Sequence, residues 1–326
     1  MDSAVAEYTE REISMLRCPL TGKGLRLAGP GKLETLDGEH QYSIVDGIII
    51  LTPDLDENES IVKTFYDGVG WESDSDGVFG DTRLFVDTRP HCYSFTRKCI
   101  RRINSLIGPR GGYILDAGSG AIPHREYMDF HAGFKKRICL DLSFGALKAA
   151  KQKLGDKGIY VLGSITNIPL ADACIDAAVS CHVIYHVPAE KQAKAFEEIA
   201  RVLKPEAAAL VVYKWSYSPI EYRMARLAVK MGLERKVPET TGDSDIPPLY
   251  FHAFSREWFE ERDWPFSFRI SCFRVVENGF MKRFVGDGFL SRLYLQTLWW
   301  AQNLAPRFCG RHGAYPIIRI TPRSES

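Results

Sequence analysis

The chain has 326 residues, with 42 Lys and Arg against 41 Asp and Glu, so no global field draws it to nucleic acid or to an acidic surface. That length supports one large core and a small appended unit. Eight cysteines without a Cys-x-x-Cys pair argue against a disulfide framework and for a reducing compartment. Residues 1–10 lack the basic and apolar regions of a signal peptide, and no apolar run approaches the ~18 residues of a membrane span. The expectation is a cytoplasmic protein with no stable membrane insertion.

Residues 1–55 read as a small separate β module. Segments 16–22 and 41–51 flank a Gly-rich turn region, which gives short strands and little helix signal. Residues 56–110 read as a linker and N-terminal helices. The acidic stretch 54–60 is a linker or helix start, residues 62–71 follow, and an acid- and Gly-rich stretch runs to Asp81. Residues 90–107 carry apolar side chains at helical spacing.

Residues 111–326 read as an α/β domain. Tyr113 to Asp116 form a short buried strand. Gly118 and Gly120 then let the backbone turn tightly and come close to a ligand, where a Cβ would collide. A helix is expected near 125–134. The next apolar run, 138–142, contains Asp141, at the spacing a strand–loop–helix–strand unit needs if an acid is to meet a nucleoside ribose. Ser143 is a candidate N-cap for a helix over 144–154. Strands at 159–163 and 177–182, a helix at 189–203 and a strand at 208–214 follow. Strands alternating with helices mean a parallel sheet covered on both faces.

After Trp215 the pattern changes. Segments 216–262 and 277–312 read as insertions. The first holds an amphipathic helix, a polar loop at 238–248, and a helix start with Ser255 as N-cap. Residues 266–276 begin with strict alternation, a half-exposed antiparallel strand whose expected partner is 315–322. From Arg262 onward there are ten Lys/Arg against four acids, an excess that faces either solvent or an anionic acceptor.

Leu115-Asp-Ala-Gly-Ser-Gly120, Leu140-Asp-Leu-Ser143, the run 163–170, the run 174–180, His186-Val-Pro188 and the run 198–205 occur in that order. The string resembles the class I S-adenosylmethionine-dependent methyltransferases over residues 110–215. The resemblance implies a doubly wound, mostly parallel seven-stranded Rossmann-like sheet with a small N-terminal β module and a helical cap insertion. It implies S-adenosylmethionine as cofactor, with Gly118 and Gly120 at its methionine part, Asp141 and Leu142 at the ribose, and Asp116 organising the loop. Ser164 and Ile165 fall at the adenine, with Cys181 on the same side. On the Gly loop alone a dinucleotide-binding dehydrogenase competes, but Ile122 stands where its fingerprint wants a third Gly.

Two departures from the family pattern stand out. Ser164 occupies the place where an acid commonly reads the adenine amine, and a hydroxyl accepts that bond with less charge assistance. Lys204-Pro-Glu-Ala replaces the usual Lys-Pro-Gly-Gly turn. The N-terminal segment resembles a zinc-ribbon-derived methyltransferase-activator domain. Only Cys18 remains of its ligands, with Thr21 and Gly22 where a second would lie, so a metal-free module is expected. Tyr66 and Trp71 fall where related chains fold a lid over the cofactor.

Methyl transfer needs alignment above all, and an oxygen acceptor adds the need for a general base, for which His is suited. His186 is the first candidate and His252 the second, with His182 and His124 behind them and Tyr185 and Tyr250 at the acceptor pocket. No Asn-Pro-Pro-Tyr-type or Pro-Cys motif of base-modifying enzymes is present, and nothing resembles the paired Asp/Asn sites of divalent-metal catechol methyltransferases, so no metal is implied. An insert rich in aromatics suits a largely apolar pocket. The reading favours O-methylation of a small molecule: a natural product, isoprenoid or glycolipid intermediate. Two alternatives stay open, an RNA-modifying methyltransferase and a cofactor-binding but catalytically silent protein of the same fold. The oligomeric state is left open.

Overall fold

The structure is a computed structural model that describes residues 8–52, 55–71, 79–108, 111–235 and 249–323, with the side chains at 69, 70 and 81 excepted. The expected polar loop at 238–248 lies outside the described residues, as does 72–78 of the acid- and Gly-rich stretch.

Among the described residues, eleven strands form the sheet. Four come from the N-terminal segment: β1 (Leu25–Gly29), β2 (Lys32–Thr35), β3 (Gln41–Val45) and β4 (Ile48–Ile50). The alternating region supplies β5 (Gly111–Ala117), β6 (Phe134–Asp141), β7 (Gly158–Leu162), β8 (Ile175–Cys181) and β9 (Leu203–Val212). The last two are β10 (Phe266–Arg274) and β11 (Tyr315–Pro322). Their order across the sheet is β1-β2-β3-β4-β7-β6-β5-β8-β9-β11-β10. Strands from β4 to β9 in that order run parallel, while β11 and β10 close the far edge antiparallel. The central strands are covered on both faces, which is why they read as continuous apolar runs rather than alternating ones; every residue of β7 is buried.

Among the described residues, the seven strands β7-β6-β5-β8-β9-β11-β10 lie together, and the four N-terminal strands extend that row instead of forming a separate sheet. β4 pairs in parallel with β7 from Ile48 opposite Tyr160 to Ile50 opposite Leu162, so the N-terminal strands continue the main sheet. The physical reason lies in the run Ile48-Ile49-Ile50-Leu51: Ile48, Ile49 and Leu51 are wholly buried, and β7 would otherwise be an unprotected edge. The join is reinforced where the Ala171 N–H donates to the Met15 carbonyl at 2.7 Å and the Lys136 ammonium pairs with Glu12 at 2.8 Å.

Local boundaries differ in two places. The segment near 125–134 is a short 3-10 turn, Arg125–His131, and Phe134 already opens β6. The expected helix 189–203 divides into a 3-10 turn, Ala189–Lys191, and an α-helix, Gln192–Val202, with Leu203 beginning β9. Ser143 caps the helix Phe144–Leu154 by accepting from the Ala146 N–H at 3.2 Å, and Ser255 caps Arg256–Glu260 through the Trp258 N–H at 3.2 Å. The first insertion contributes the helix Pro219–Lys230, and the second contributes Asn278–Phe284, Phe289–Leu304 and Pro306–His312. No helix among the described residues is long and apolar enough to cross a membrane.

From β5 the chain proceeds outward to β6 on one side, and β8 lies on the other. Loops leaving the carboxyl ends of β5, β6 and β8 therefore diverge, and the crevice between them is where open α/β sheets bind ligands.

Candidate functional site

A cavity of about 480 Å³ opens at these strand ends, within the range of small-molecule sites. Its floor is the turn after β5. Gly118 has φ +79°, and a Cβ there would lie 2.4 Å from Val183; Gly120 has φ +52°, and a Cβ there would lie 2.5 Å from the Trp71 indole. Left-handed backbone and lack of room together demand glycine at both places. Trp71 stacks on Tyr66, ring centroids 5.3 Å apart, and both line the cavity. The segment before the core thus lies over the Gly turn.

Asp141, at the end of β6, ties the loops together. Its Oδ2 accepts from the Gly120 N–H at 2.8 Å and its Oδ1 from the Ser143 N–H at 2.9 Å. Burial pushes its carboxyl up to about 6, against the two N–H donors that favour the charged form. Each oxygen still has lone-pair capacity for a further donor. Leu142, Ser164, Ile165 and Cys181 line the same cavity.

Two neighbouring contacts were not foreseen from the sequence. Asp116 is buried and its Oδ2 accepts from Arg137 Nε at 3.1 Å and from Nη2, while Arg137 Nη1 donates to the Tyr127 carbonyl at 2.6 Å. A fully buried guanidinium thus fixes Asp116 as a loop organiser. At the third position, Ser164 Oγ donates to Glu59 Oε1 at 3.2 Å, and Thr166 Oγ1 to the same oxygen at 3.3 Å. Glu59 is buried, lines the cavity, and is held by Lys191 at 2.9 Å. A carboxylate is therefore present beside Ser164, delivered from the helix Glu57–Phe65. The only local signal was Asp56-x-x-Glu59, a capping box in which the Glu59 N–H donates to Asp56 at 2.8 Å.

The opposite end is built from β8, β10 and the helices after them. His186 Nδ1 lies 2.8 Å from the Tyr250 carbonyl. A carbonyl only accepts, so Nδ1 carries the proton and Nε2 keeps its lone pair. Burial lowers His186 to about 4, so the ring is neutral near neutral pH. His182 sits in left-handed backbone, φ +64°, a strained placement of the kind found at functional sites. Its Nδ1 lies 3.0 Å from the Tyr185 hydroxyl, and burial holds it well below the usual range. His124 is likewise lowered to about 4 by burial. All three histidines and Tyr185 line the cavity.

Fourteen of the positions singled out by sequence are gathered around this one space, with two exceptions in the acceptor set. His252 is exposed and outside the cavity lining; its backbone carries its contacts, the N–H to the Tyr185 carbonyl at 2.8 Å and the carbonyl from Gln192 at 2.7 Å. Its ring packs on Phe254 instead. Tyr250 is also outside the lining and acts through others: its carbonyl orients His186, and its hydroxyl accepts from the Ala189 N–H at 3.0 Å.

Residues 115–211 match a protein-family model described as a methyltransferase domain, and this segment carries the Gly turn, Asp141, Ser164 and His186. A tRNA (carboxymethyluridine(34)-5-O)-methyltransferase of Arabidopsis thaliana is 34% identical over 136 residues, which are 40% of this chain and 31% of that protein. The chain thus spans about a third of the length of that curated relative. Among solved structures, the "DhpI-SAM-HEP complex" superposes with a TM-score of 0.50 at 14% identity, over 83% of this chain and all of that one. A Burkholderia thailandensis 1,6-didemethyltoxoflavin-N1-methyltransferase gives a TM-score of 0.45 at 14% identity, over 89% and 99% of the two chains. The Rossmann-like α/β methyltransferase fold is common ground with the first of these structures.

Proposed function

We propose that this protein is an S-adenosylmethionine-dependent methyltransferase that transfers a methyl group to an oxygen of a small-molecule acceptor bound in the cavity. The observation that carries the reading is continuity: one cavity runs from the Gly118–Gly120 turn and Asp141 to His186 and Tyr185. The match of residues 115–211 to a methyltransferase domain supports the choice of donor.

The residues fit the cofactor chemically. Asp141 has acceptor capacity for two ribose hydroxyls, the Gly turn leaves room that a Cβ would fill, and the Ser164–Glu59 pair offers acceptors for an exocyclic amine. S-adenosylmethionine supplies an electrophilic methyl group on a sulfonium, so alignment of the acceptor does most of what the protein must do. Aromatic and apolar walls around Phe251, Phe273 and Tyr315 orient an uncharged skeleton and exclude water. Neutral His186, its Nδ1–H fixed on Tyr250, offers Nε2 to a hydroxyl proton as the O–C bond forms. A natural product, isoprenoid or glycolipid intermediate would suit such walls.

A second reading follows from the relative's name: the acceptor is an RNA nucleoside. Incubating the purified chain with methyl-labelled S-adenosylmethionine and separated small-molecule and RNA fractions distinguishes the two. Label is expected in the small-molecule fraction, with His186→Gln slowing transfer by ~100- to 10,000-fold. Label confined to RNA supports the second reading instead. No label in either fraction, with cofactor binding intact, points to the catalytically silent alternative.

A further inference from the structure

We propose that the far end of the cavity is a receptor for an anionic group on the acceptor, a carboxylate or phosphate, held by the buried guanidinium of Arg274. Calling its occupant the acceptor rests on the methyltransferase reading above.

The placement of Arg274 is unusual for a strand that begins half-exposed. The β10–β11 register runs regularly to Cys272 opposite Pro316, then shifts so that Arg274 lies opposite Tyr315. Phe273 is the extra residue of a bulge, a device that re-aims side chains beside functional sites. Phe273 and Arg274 are both buried, Arg274 at 2% exposure, and both line the cavity.

The guanidinium is charged at any relevant pH, yet it forms no ion pair among the described residues. Nη1 donates to two neutral oxygens, Thr96 Oγ1 at 2.9 Å and Asn278 Oδ1 at 3.1 Å. Nε is buried without a partner, and Nη2 donates no hydrogen bond among the described residues. Nε and Nη2 form the side-on edge of the fork that accommodates a carboxylate or phosphate through two parallel bonds. The guanidinium lies over the Tyr315 ring at 5.0 Å and the Glu277 charge acts on it without a hydrogen bond, which leaves the Nε–Nη2 edge without an anionic partner; an arriving anion would supply one.

The surroundings have the matching sign. Lys214 and Lys282 line the same space, and the Glu277 carboxylate, also in the lining, is engaged by Lys214 at 2.6 Å. Behind it, burial and the Glu277 charge raise Glu221 above the usual carboxylate range, which favours its neutral form. Asp87, which faces Lys282 from outside the lining, is taken by Arg89 at 2.6 Å. Among the described residues, Arg274, Lys214 and Lys282 thus line the cavity with Glu277, which Lys214 engages.

The test uses the full chain and three probes: benzoate, inorganic phosphate, and benzamide as the neutral counterpart of benzoate. Each is titrated by calorimetry and by its effect on melting temperature, with and without S-adenosylhomocysteine. Benzoate or phosphate should bind and benzamide should not, and which anion binds tighter separates carboxylate from phosphate recognition. Arg274→Met should weaken anion binding about tenfold or more, as for loss of a charge-assisted hydrogen bond, while Arg274→Lys retains part of it. S-adenosylhomocysteine titration of Arg274→Met reports whether the fold survives. If it does not, Lys282→Met and the benzoate–benzamide contrast in the wild type decide the matter. Equal binding of benzamide and benzoate, no binding of either anion, or full anion affinity in a folded Arg274→Met overturns the proposal. Failure of S-adenosylhomocysteine to bind the wild type overturns the methyltransferase reading instead, and leaves the anion contrast to be judged by itself.

Discussion

Asp141 concentrates the chemistry of the cofactor end in one side chain. Its carboxyl is raised to about 6 by burial, so it is ionised above that value and protonated below it. Hydroxyl donors favour the ionised form, because protonation converts one acceptor oxygen into a donor. Affinity for S-adenosylhomocysteine should therefore be flat on the alkaline side and fall as pH drops through about 6. The limit is about tenfold per pH unit if only the ionised form binds. Asp141→Asn should bind weakly and lose that dependence. A wild-type affinity that is level through this range would show that the carboxylate is not the group being read. Asp141, Gly118 and Gly120 were legible because turn, strand end and acid lie within one short motif. Arg137, Glu59 and Arg274 were not, because each acquires its meaning from a partner far away in sequence: Asp116, Ser164 and Thr96 respectively.

At the scale of elements, the Gly turn and the Tyr66–Trp71 segment are mutually fitted. Gly120→Ala faces two obstacles, left-handed backbone and a Cβ only 2.5 Å from Trp71. The backbone part costs about 1–2 kcal/mol. The substitution should lower the melting temperature and weaken S-adenosylhomocysteine binding, and Trp71→Ala in the same chain should recover part of the melting temperature by removing the collision. A double variant no more stable than Gly120→Ala would mean that Trp71 does not rest on the turn. Core strands and the helix Phe144–Leu154 were readable from burial and period, and its Ser143 cap from residue type. The bulge at Phe273 was not, since the sequence shows only where alternation stops, and the end of the second helix at Val202 goes with Leu203 joining β9.

Across the whole molecule, a single sheet carries the N-terminal strands, the ligand crevice and the antiparallel edge that presents Arg274. The run Ile48–Ile50 was visible as a strand, but its pairing with β7 was not, because a parallel partner more than a hundred residues away leaves no local trace. The same long-range closure brings Glu59 and Trp71 over the strand ends and makes one cavity from loops that are distant in sequence. The central claim is that this cavity binds the product of methyl transfer at the ends of β5 and β6. Calorimetric titration of S-adenosylhomocysteine into wild type and Asp141→Ala tests it most directly. One equivalent should bind the wild type, and the variant, with its fold checked by melting temperature, should bind at least about tenfold more weakly, the loss expected for one charge-assisted hydrogen bond. No binding to the wild type, or equal affinity in the two proteins, would contradict the account.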